Sequence, residues 1–259
     1  QAQAVIPTTR ITTVIPTMTP HQTMMMETAT TMIKKRHEYK YKLASNEALI
    51  LKSVLDPLLD YDPHAKDGYY EVRSLYYESP YDKNLLDKLG GISKREKLRI
   101  RFYDHDLSYI NFEKKVKEGG LGHKTKLKLD PIEVKKLLKN DCAFLKEKGK
   151  SGLEFYAKIK SEVLNPKTII TYRRLAYHYP LGNVRITIDD GLRTSLMVNS
   201  FLEKNLNYLP LESNLAILEI KYDAFLPDFI KRVLKGQNIQ NISFSKYAYG
   251  RYFDYGGPL

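Results

Sequence analysis

The sequence predicts an α+β fold in which helices accompany a largely antiparallel β-sheet. Segments that alternate apolar and charged residues recur along the chain, and helical segments with capping residues lie between them. The stretch "KEGGLGHK" also predicts a glycine-rich hairpin turn between two of the alternating segments. With 259 residues, 42% of them hydrophobic, the chain is long enough to bury the core of one main domain.

The predicted strands share one pattern, which is clearest in "REKLRIRFYD" at positions 95–104. Alternate residues of a strand point to opposite faces, so Leu98, Ile100 and Phe102 share one face. The other face carries four cations: Arg95, Lys97, Arg99 and Arg101. Apolar residues alternate with cations, or with an occasional carboxylate, in further predicted strands: "HEYKYKL", "YYEVRSLYY", "YINFEKKVKEGG", "GHKTKLKL", "IITYRRLAYHY", "NVRITIDD" and "LAILEIKYD".

Five predicted helices lie between or after these strands. "SNEALILKSVLDPLL" begins at a Ser45 cap, and "SPYDKNLLDKLGG" ends at paired glycines. "DPIEVKKLLKN" has Pro131 in its first turn after Asp130. "GLEFYAKIKSEVL" follows, and "LPDFIKRVLKG" ends at Gly236. This mixed order favours an α+β fold over a parallel α/β fold.

The net charge of +12 indicates a polyanionic partner, which could be phosphate, nucleic acid or an acidic lipid surface. A single cationic strand face is usually a solvated surface. If the sheet curls, however, the cations of several strands converge, and each unpaired cation in a partly desolvated cavity costs ~several kcal/mol. A bound anion would then compensate them.

Several classes of protein are disfavoured. The single cysteine, Cys142, excludes an intramolecular disulfide and a Cys-rich zinc site, and it fits a reducing compartment, so a cytoplasmic location is expected. No apolar run approaches the roughly 18 to 20 residues of a membrane span, and no Gly-x-x-x-x-Gly-Lys loop is present. Residues 1–33 are Thr-rich and predicted to be a flexible extension or a cloning remnant, with the main domain at 34–259.

Eight segments, taken in order from about Arg36 to about Phe253, resemble the VTC domain of vacuolar transporter chaperone proteins, within the triphosphate tunnel metalloenzyme (CYTH-like) superfamily. Each segment alone is weak evidence, and their order carries the resemblance. The segments are "RHEYKYKL", "VRSLYYESPY", "REKLRIRFY", "FEKKVKEGG", "YRRLAY", "VRITID", "LEIKYD" and "FSKYAYG".

The resemblance implies an antiparallel β-barrel tunnel of about eight strands with flanking helices, whose inward basic residues hold a triphosphate or polyphosphate. It implies a catalytic role for Arg99, Arg101, Lys115 and Arg174. It implies substrate binding by Lys40, Lys88, Lys97, Lys124, Arg185 and Lys246. A divalent metal, Mn²⁺ or Mg²⁺, would be held by Glu219 together with Glu38 or Asp189.

The chain departs from the expected pattern at two positions. The superfamily opens with E-x-E-x-K, but here the second acid is replaced by Lys40, so a thinner metal site and a more basic phosphate site are expected. Ser243 stands where a second lysine is expected, which predicts a weaker grip on polymer at the tunnel mouth.

Three functions remain open from the sequence. The first is a polyphosphate polymerase that moves the terminal phosphate of a nucleoside triphosphate onto a growing chain. The second is a tunnel hydrolase that releases phosphate from triphosphates. The third is a non-catalytic module that binds polyphosphate or nucleic acid. Nucleic acid is the less favoured ligand, because the basic faces are expected to point inward and no RNP-like aromatic motif is present.

Overall fold

The computed structural model of the protein describes residues 36–65, 68–118, 121–236 and 241–251, so the predicted extension at 1–33 lies outside the described residues. The strands of this part are β1 His37–Leu43, β2 Asp60–Tyr61, β3 Tyr69–Glu78, β4 Arg95–Tyr103, β5 Ile110–Glu118, β6 Leu121–Leu129, β7 Asn165–Tyr179, β8 Val184–Ser195, β9 Leu209–Pro210 and β10 Ala216–Tyr222. The α-helices are α1 Ser45–Leu55, α2 Lys83–Leu89, α3 Pro131–Leu138, α4 Gly149–Glu162, α5 Asp228–Lys235 and α6 Lys246–Gly250. No helix in these ranges is both long and apolar enough to cross a membrane.

The strands form one antiparallel sheet in the order β1-β10-β8-β7-β3-β4-β5-β6, with the short strands β2 and β9 paired to β7 and β8. The predicted α+β class and the eight main antiparallel strands are confirmed, and the sheet curls into a half-barrel. Strands β5 and β6 pair from Glu118 opposite Leu121, so they form the predicted hairpin, although the turn residues 119–120 lie outside the described residues.

The helix ends follow the sequence signals in three cases, one of them the end of α5 at Gly236, and differ in one. Asp130 caps α3 by accepting a hydrogen bond from the Glu133 N–H at 2.8 Å, and the Glu133 carboxylate accepts one from the Asp130 N–H at 3.0 Å. Helix α2 ends at Gly90, as predicted. The predicted Ser45 cap is wrong: Ala44 is the N-cap of α1, because the Glu47 carboxylate accepts from the Ala44 N–H at 2.7 Å.

Two apolar clusters cover the convex face of the sheet. In the first, β4 and β5 pack against α3 and α4, and the rings of Phe112 and Phe155 stack with centroids 4.4 Å apart. In the second, β8 and β10 pack against α1 and α5 through residues such as Ile188 and Leu218. The apolar half of each alternating strand therefore forms these cores, and the charged half faces the concave side.

Helix α6 lies on the concave face, where Tyr247 and Ala248 join an apolar cluster with Val72, Ile170 and Tyr172. The approach is close at Gly250, where an added Cβ would lie only 1.8 Å from Ile170 Cδ1. A larger residue at this position would force either the Ile170 side chain or the helix to shift. The close packing holds the charged first residue of α6, Lys246, over the concave face.

Candidate functional site

The cations predicted from the alternating strands gather on the concave face. Lys115 on β5 and Glu38 on β1 lie 3.3 Å apart, although their strands stand near opposite ends of the strand order. The sheet therefore curls far enough for concave side chains from its two ends to meet. The predicted inward orientation of Arg99 and Arg101 follows from the same geometry, because their neighbour Ile100 lies in a convex core.

One wall of the face is formed by β4, β5 and β6, and Glu113 is at its centre. Arg99 stands opposite Glu113 in the register, and its Nε lies 2.7 Å from Glu113 Oε2. Lys124 on β6 pairs with the other oxygen of Glu113. Burial opposes ionisation of Glu113, but the charges of Arg99, Arg101 and Lys124 hold the pKa of its carboxyl well below the usual range. The Glu113 carboxylate thus partly neutralises several cations on this wall.

Arg101 is the most deeply buried cation of this wall, with 5% of its surface exposed. Its guanidinium donates to the Ser74 hydroxyl at 2.8 Å and to the Tyr172 hydroxyl at 3.3 Å. Both acceptors are neutral, and within the described ranges no carboxylate forms an ion pair with Arg101. A buried guanidinium with only neutral partners favours binding of an anion.

Lys97 likewise has only neutral partners among the residues that the structure describes. Its Nζ lies 2.9 Å from the Ser245 hydroxyl and 5.3 Å from the centre of the Tyr247 ring. Burial and four nearby cations lower the pKa of Lys97 from 10.5 to about 7. These cations, which come from four elements, are Lys40, Lys88, Arg95 and Lys115.

The opposite wall holds its charges in a buried network. Asp189 is fully buried and receives two hydrogen bonds from Arg174, at 2.6 and 2.7 Å, because the two residues are opposite each other in the register. Lys246 lies 2.6 Å from Asp189 and 3.0 Å from Glu219, which also pairs with Lys221 at 2.8 Å. Both oxygens of Asp189 are engaged, and Asp189 thereby orients Arg174 and Lys246.

Glu219 and Glu38 lie on either side of one ammonium group. Lys40 Nζ is 3.2 Å from Glu38 Oε1 and 3.7 Å from Glu219 Oε1. Burial opposes ionisation of both carboxyls, yet nearby lysines lower the pKa of Glu38 to about 2 and hold the pKa of Glu219 well below its usual range. The described residues contain no group of three or more His, Cys, Asp or Glu that could hold a metal ion. Two ionised carboxylates around one point suit Mg²⁺ or Mn²⁺ when phosphate oxygens supply further ligands.

A segment that we call the strap, residues 241–245, contacts three of these lysines. Lys88 Nζ donates to the Ser243 carbonyl at 3.0 Å and to its hydroxyl at 2.8 Å. Lys40 Nζ donates to the Phe244 carbonyl at 3.3 Å, and Lys97 donates to Ser245. The Ser243 substitution therefore supplies a partner for Lys88, where a lysine would repel it.

Arg185 lies on β8, opposite Lys221 of β10 in the register. It donates to Asp62 and to the Tyr70 hydroxyl, each at 2.7 Å, near the loop that follows β2. The other predicted site residues lie in or beside the two walls. Site residues that the sequence reasoning missed are Ser74, Tyr76, Glu113, Tyr172, Lys221, Ser245 and Tyr247. Alternation places Glu113 and Lys221 on the charged faces, whereas no local pattern marks Ser245 or Tyr247.

Comparison with known proteins identifies the family of the chain and proteins of similar fold. The VTC domain family matches residues 35–253. A protein described as a "putative adenylate cyclase" from Bacillus halodurans has a similar fold, with TM-score 0.50 and 15% identity, over 82% of this chain and 94% of that one. The PH1819 protein of Pyrococcus horikoshii is matched with TM-score 0.44 and 10% identity, over 82% of this chain and 97% of that one. No protein with curated annotation matches. The family match spans all of the described residues and confirms the resemblance seen in the eight segments, so this chain belongs to the VTC domain family.

Proposed function

We propose that the concave face binds a triphosphate or polyphosphate chain, and that the protein transfers the terminal phosphate of a nucleoside triphosphate to a growing polyphosphate chain. The observation that carries the proposal is the buried Arg101, whose hydrogen bonds go to neutral hydroxyls and whose neighbouring carboxylate, Glu113, is bound to Arg99 and Lys124. A phosphate chain would supply the missing negative charge.

The chemistry requires positioning and charge neutralisation more than covalent participation by the protein. Arg99 and Arg101 offer planar forks for phosphate oxygens, and Arg174 is held in one orientation by Asp189. Lys115 belongs to the same group of cations. Substrate contacts would come from the remaining cations: Lys40, Lys88, Lys97, Lys124, Arg185 and Lys246.

Glu219 and Glu38 would hold the divalent ion, Mn²⁺ or Mg²⁺, with phosphate oxygens as the other ligands. When bound, the ion supplies positive charge to the phosphate oxygens. Glu219 is kept ionised by the neighbouring lysines, so it is ready to act as a ligand. Nucleic acid is a poor fit for the site, because the cations lie on the concave face with α6 packed against its floor.

The test is incubation of the protein with ATP and Mn²⁺ or Mg²⁺, followed by gel detection of polymer and assay of free phosphate. Arg101→Ala should weaken triphosphate binding by about 1 to 3 kcal/mol and reduce turnover, because a charge-assisted bond is lost. Arg173→Ala is the matched control, since Arg173 is on the same sheet but points outward and pairs with Asp190.

The products separate the alternatives. Polymer supports the polymerase, whereas phosphate without polymer would identify a hydrolase. Triphosphate binding without any turnover would indicate a binding module. Equal triphosphate affinity in folded Arg101→Ala and wild-type protein would contradict the site itself.

A further inference from the structure

Ser245 and Lys97 form a hydroxyl and amine pair, and the proposed function gives Lys97 a substrate contact but gives Ser245 no role. Lys97 Nζ lies 2.9 Å from Ser245 Oγ, across 148 positions of sequence. Ser245 is the N-cap of α6, and its oxygen accepts from the Ala248 N–H at 3.4 Å. That contact fixes the side chain but leaves the hydroxyl proton free to be donated toward Lys97.

The surroundings of Lys97 favour an amine that can accept this proton. The charges that act on it most strongly are cations: Lys40 on β1, Lys88 on α2, Arg95 on its own strand and Lys115 on β5. The carboxylate of Glu38 on β1 pairs with two of them, Lys40 and Lys115. From α6 it meets only the Ser245 hydroxyl and the Tyr247 ring. Burial and these charges lower the pKa of Lys97 to about 7, so near neutral pH a large fraction is the free amine. A serine beside such a lysine is an activated nucleophile.

The strap brings this hydroxyl to the lysines that are proposed to bind phosphate. Lys40 and Lys88 contact Phe244 and Ser243, the two residues just before Ser245. A phosphate group held by these ammonium groups would therefore lie beside Ser245 Oγ.

We propose that Ser245 is a phosphoryl acceptor that takes the terminal phosphoryl group of a triphosphate, with Lys97 as its base. The Ser245 oxygen forms a bond to the terminal phosphorus while the bond from that phosphorus to the bridging oxygen breaks. The shortened diphosphate moiety leaves, and the hydroxyl proton moves to Lys97 Nζ. The product is a phosphoserine beside Lys97, Lys88 and Lys40, and it compensates Lys97 and Lys88, which form no ion pair with a carboxylate among the described residues. This inference rests on the proposed function, because the triphosphate must first bind.

The experiment uses full-length protein pretreated with phosphatase and then incubated with tripolyphosphate or ATP and Mn²⁺. Intact-mass measurement should show one added phosphoryl group, and peptide sequencing should place it on Ser245. Ser245→Asn should remain unlabelled while its side chain still caps α6. Ser245→Thr should be labelled, because it retains a hydroxyl.

Lys97→Arg keeps the positive charge but cannot act as a base, so labelling should slow by roughly 100-fold or more. In the wild type the labelling rate should rise with pH through about 7, the pKa of Lys97.

Calorimetry with tripolyphosphate, run beside the labelling assay, distinguishes a failure of the acceptor role of Ser245 from a failure of the proposed function. Normal triphosphate binding with no label would overturn the acceptor role and leave the proposed function standing. Label on Ser243, or label that persists in Ser245→Asn, would also overturn the acceptor role. Absence of triphosphate binding would overturn the proposed function and this inference together.

Discussion

Replacing Lys97 with methionine tests whether the clustered cations of the concave face lower the stability of the protein when no anion is bound. Methionine keeps an unbranched chain of similar length but removes the amine. The wild-type side chain has only neutral partners, Ser245 and Tyr247, among the residues that the structure describes, and cations approach it from four elements. Without a bound anion, therefore, the charge of Lys97 opposes folding.

The size and the pH dependence of the effect follow from the pKa. In the unfolded chain Lys97 titrates near 10.5, and in the folded protein near 7. Between these values the unfolded state binds the additional proton, so wild-type stability should rise with pH across this window. One pKa unit corresponds to about 1.4 kcal/mol, so the full shift sets a limit of roughly 5 kcal/mol below pH 7. Partial exposure to solvent reduces this, and we expect Lys97→Met to raise the free energy of unfolding by about 1 to 3 kcal/mol near pH 6.

The measurement is urea unfolding at several pH values from about 6 to 10, without phosphate in the buffer. The stabilisation by Lys97→Met should decrease as the pH rises, because Lys97 of the wild type loses its charge and no longer lowers the stability of the folded state. Lys160→Met, at an exposed position on α4, is the control and should change stability little at any pH. Tripolyphosphate should bind Lys97→Met more weakly than the wild type. If Lys97→Met is less stable than the wild type near pH 6, the amine is not under electrostatic strain and the reasoning fails.

Two further variants test other parts of the site. Glu219→Gln should lower the stability of the free protein, because Lys221 and Lys246 lose a charged partner. The variant should still bind triphosphate but lose metal-dependent turnover, which calorimetry with and without Mn²⁺ and a turnover assay would measure. Normal turnover would place the metal elsewhere. Gly250→Ala should cost about 1 to 3 kcal/mol of stability in urea unfolding, because its Cβ would meet the buried side chain of Ile170, and an unchanged midpoint would mean that α6 is free to shift.

The faces of the strands could be predicted from the sequence because side chains alternate with a period of two. Ile100 lies in a convex core, and Arg99 and Arg101 project to the concave face, as the pattern of that strand requires. The Asp130 cap could be predicted for the same reason, because its capping signal is local in sequence. The prediction of a Ser45 cap is wrong because the Glu47 carboxylate, inside the helix, accepts a hydrogen bond from the backbone N–H of Ala44. Ala44 is therefore the N-cap, and Ser45 is the first helical residue.

The pairings within the site could not be predicted, since they depend on strand register and on segments distant in sequence. Arg174 meets Asp189 because β7 and β8 pair with those residues opposite each other, and a register shift would have separated them. The contact of Lys97 with Ser245 joins residues 148 positions apart, and the seat of α6 depends on the fit of Gly250 against Ile170. Neither arrangement leaves a periodic signal in the sequence.

The contacts of the strap reduce the free-energy cost of binding phosphate at the site. Lys40, Lys88 and Lys97 already donate to carbonyl or hydroxyl oxygens of residues 243–245, so their ammonium groups have lost part of their hydration before any ligand arrives. A phosphate oxygen that replaces one of these neutral acceptors carries negative charge, so its hydrogen bond to the ammonium group also gains the attraction of an ion pair. Because the lysines are held in place, little side-chain entropy is lost on binding. The strap therefore keeps the lysines ready for an anion while binding them less strongly than the anion would.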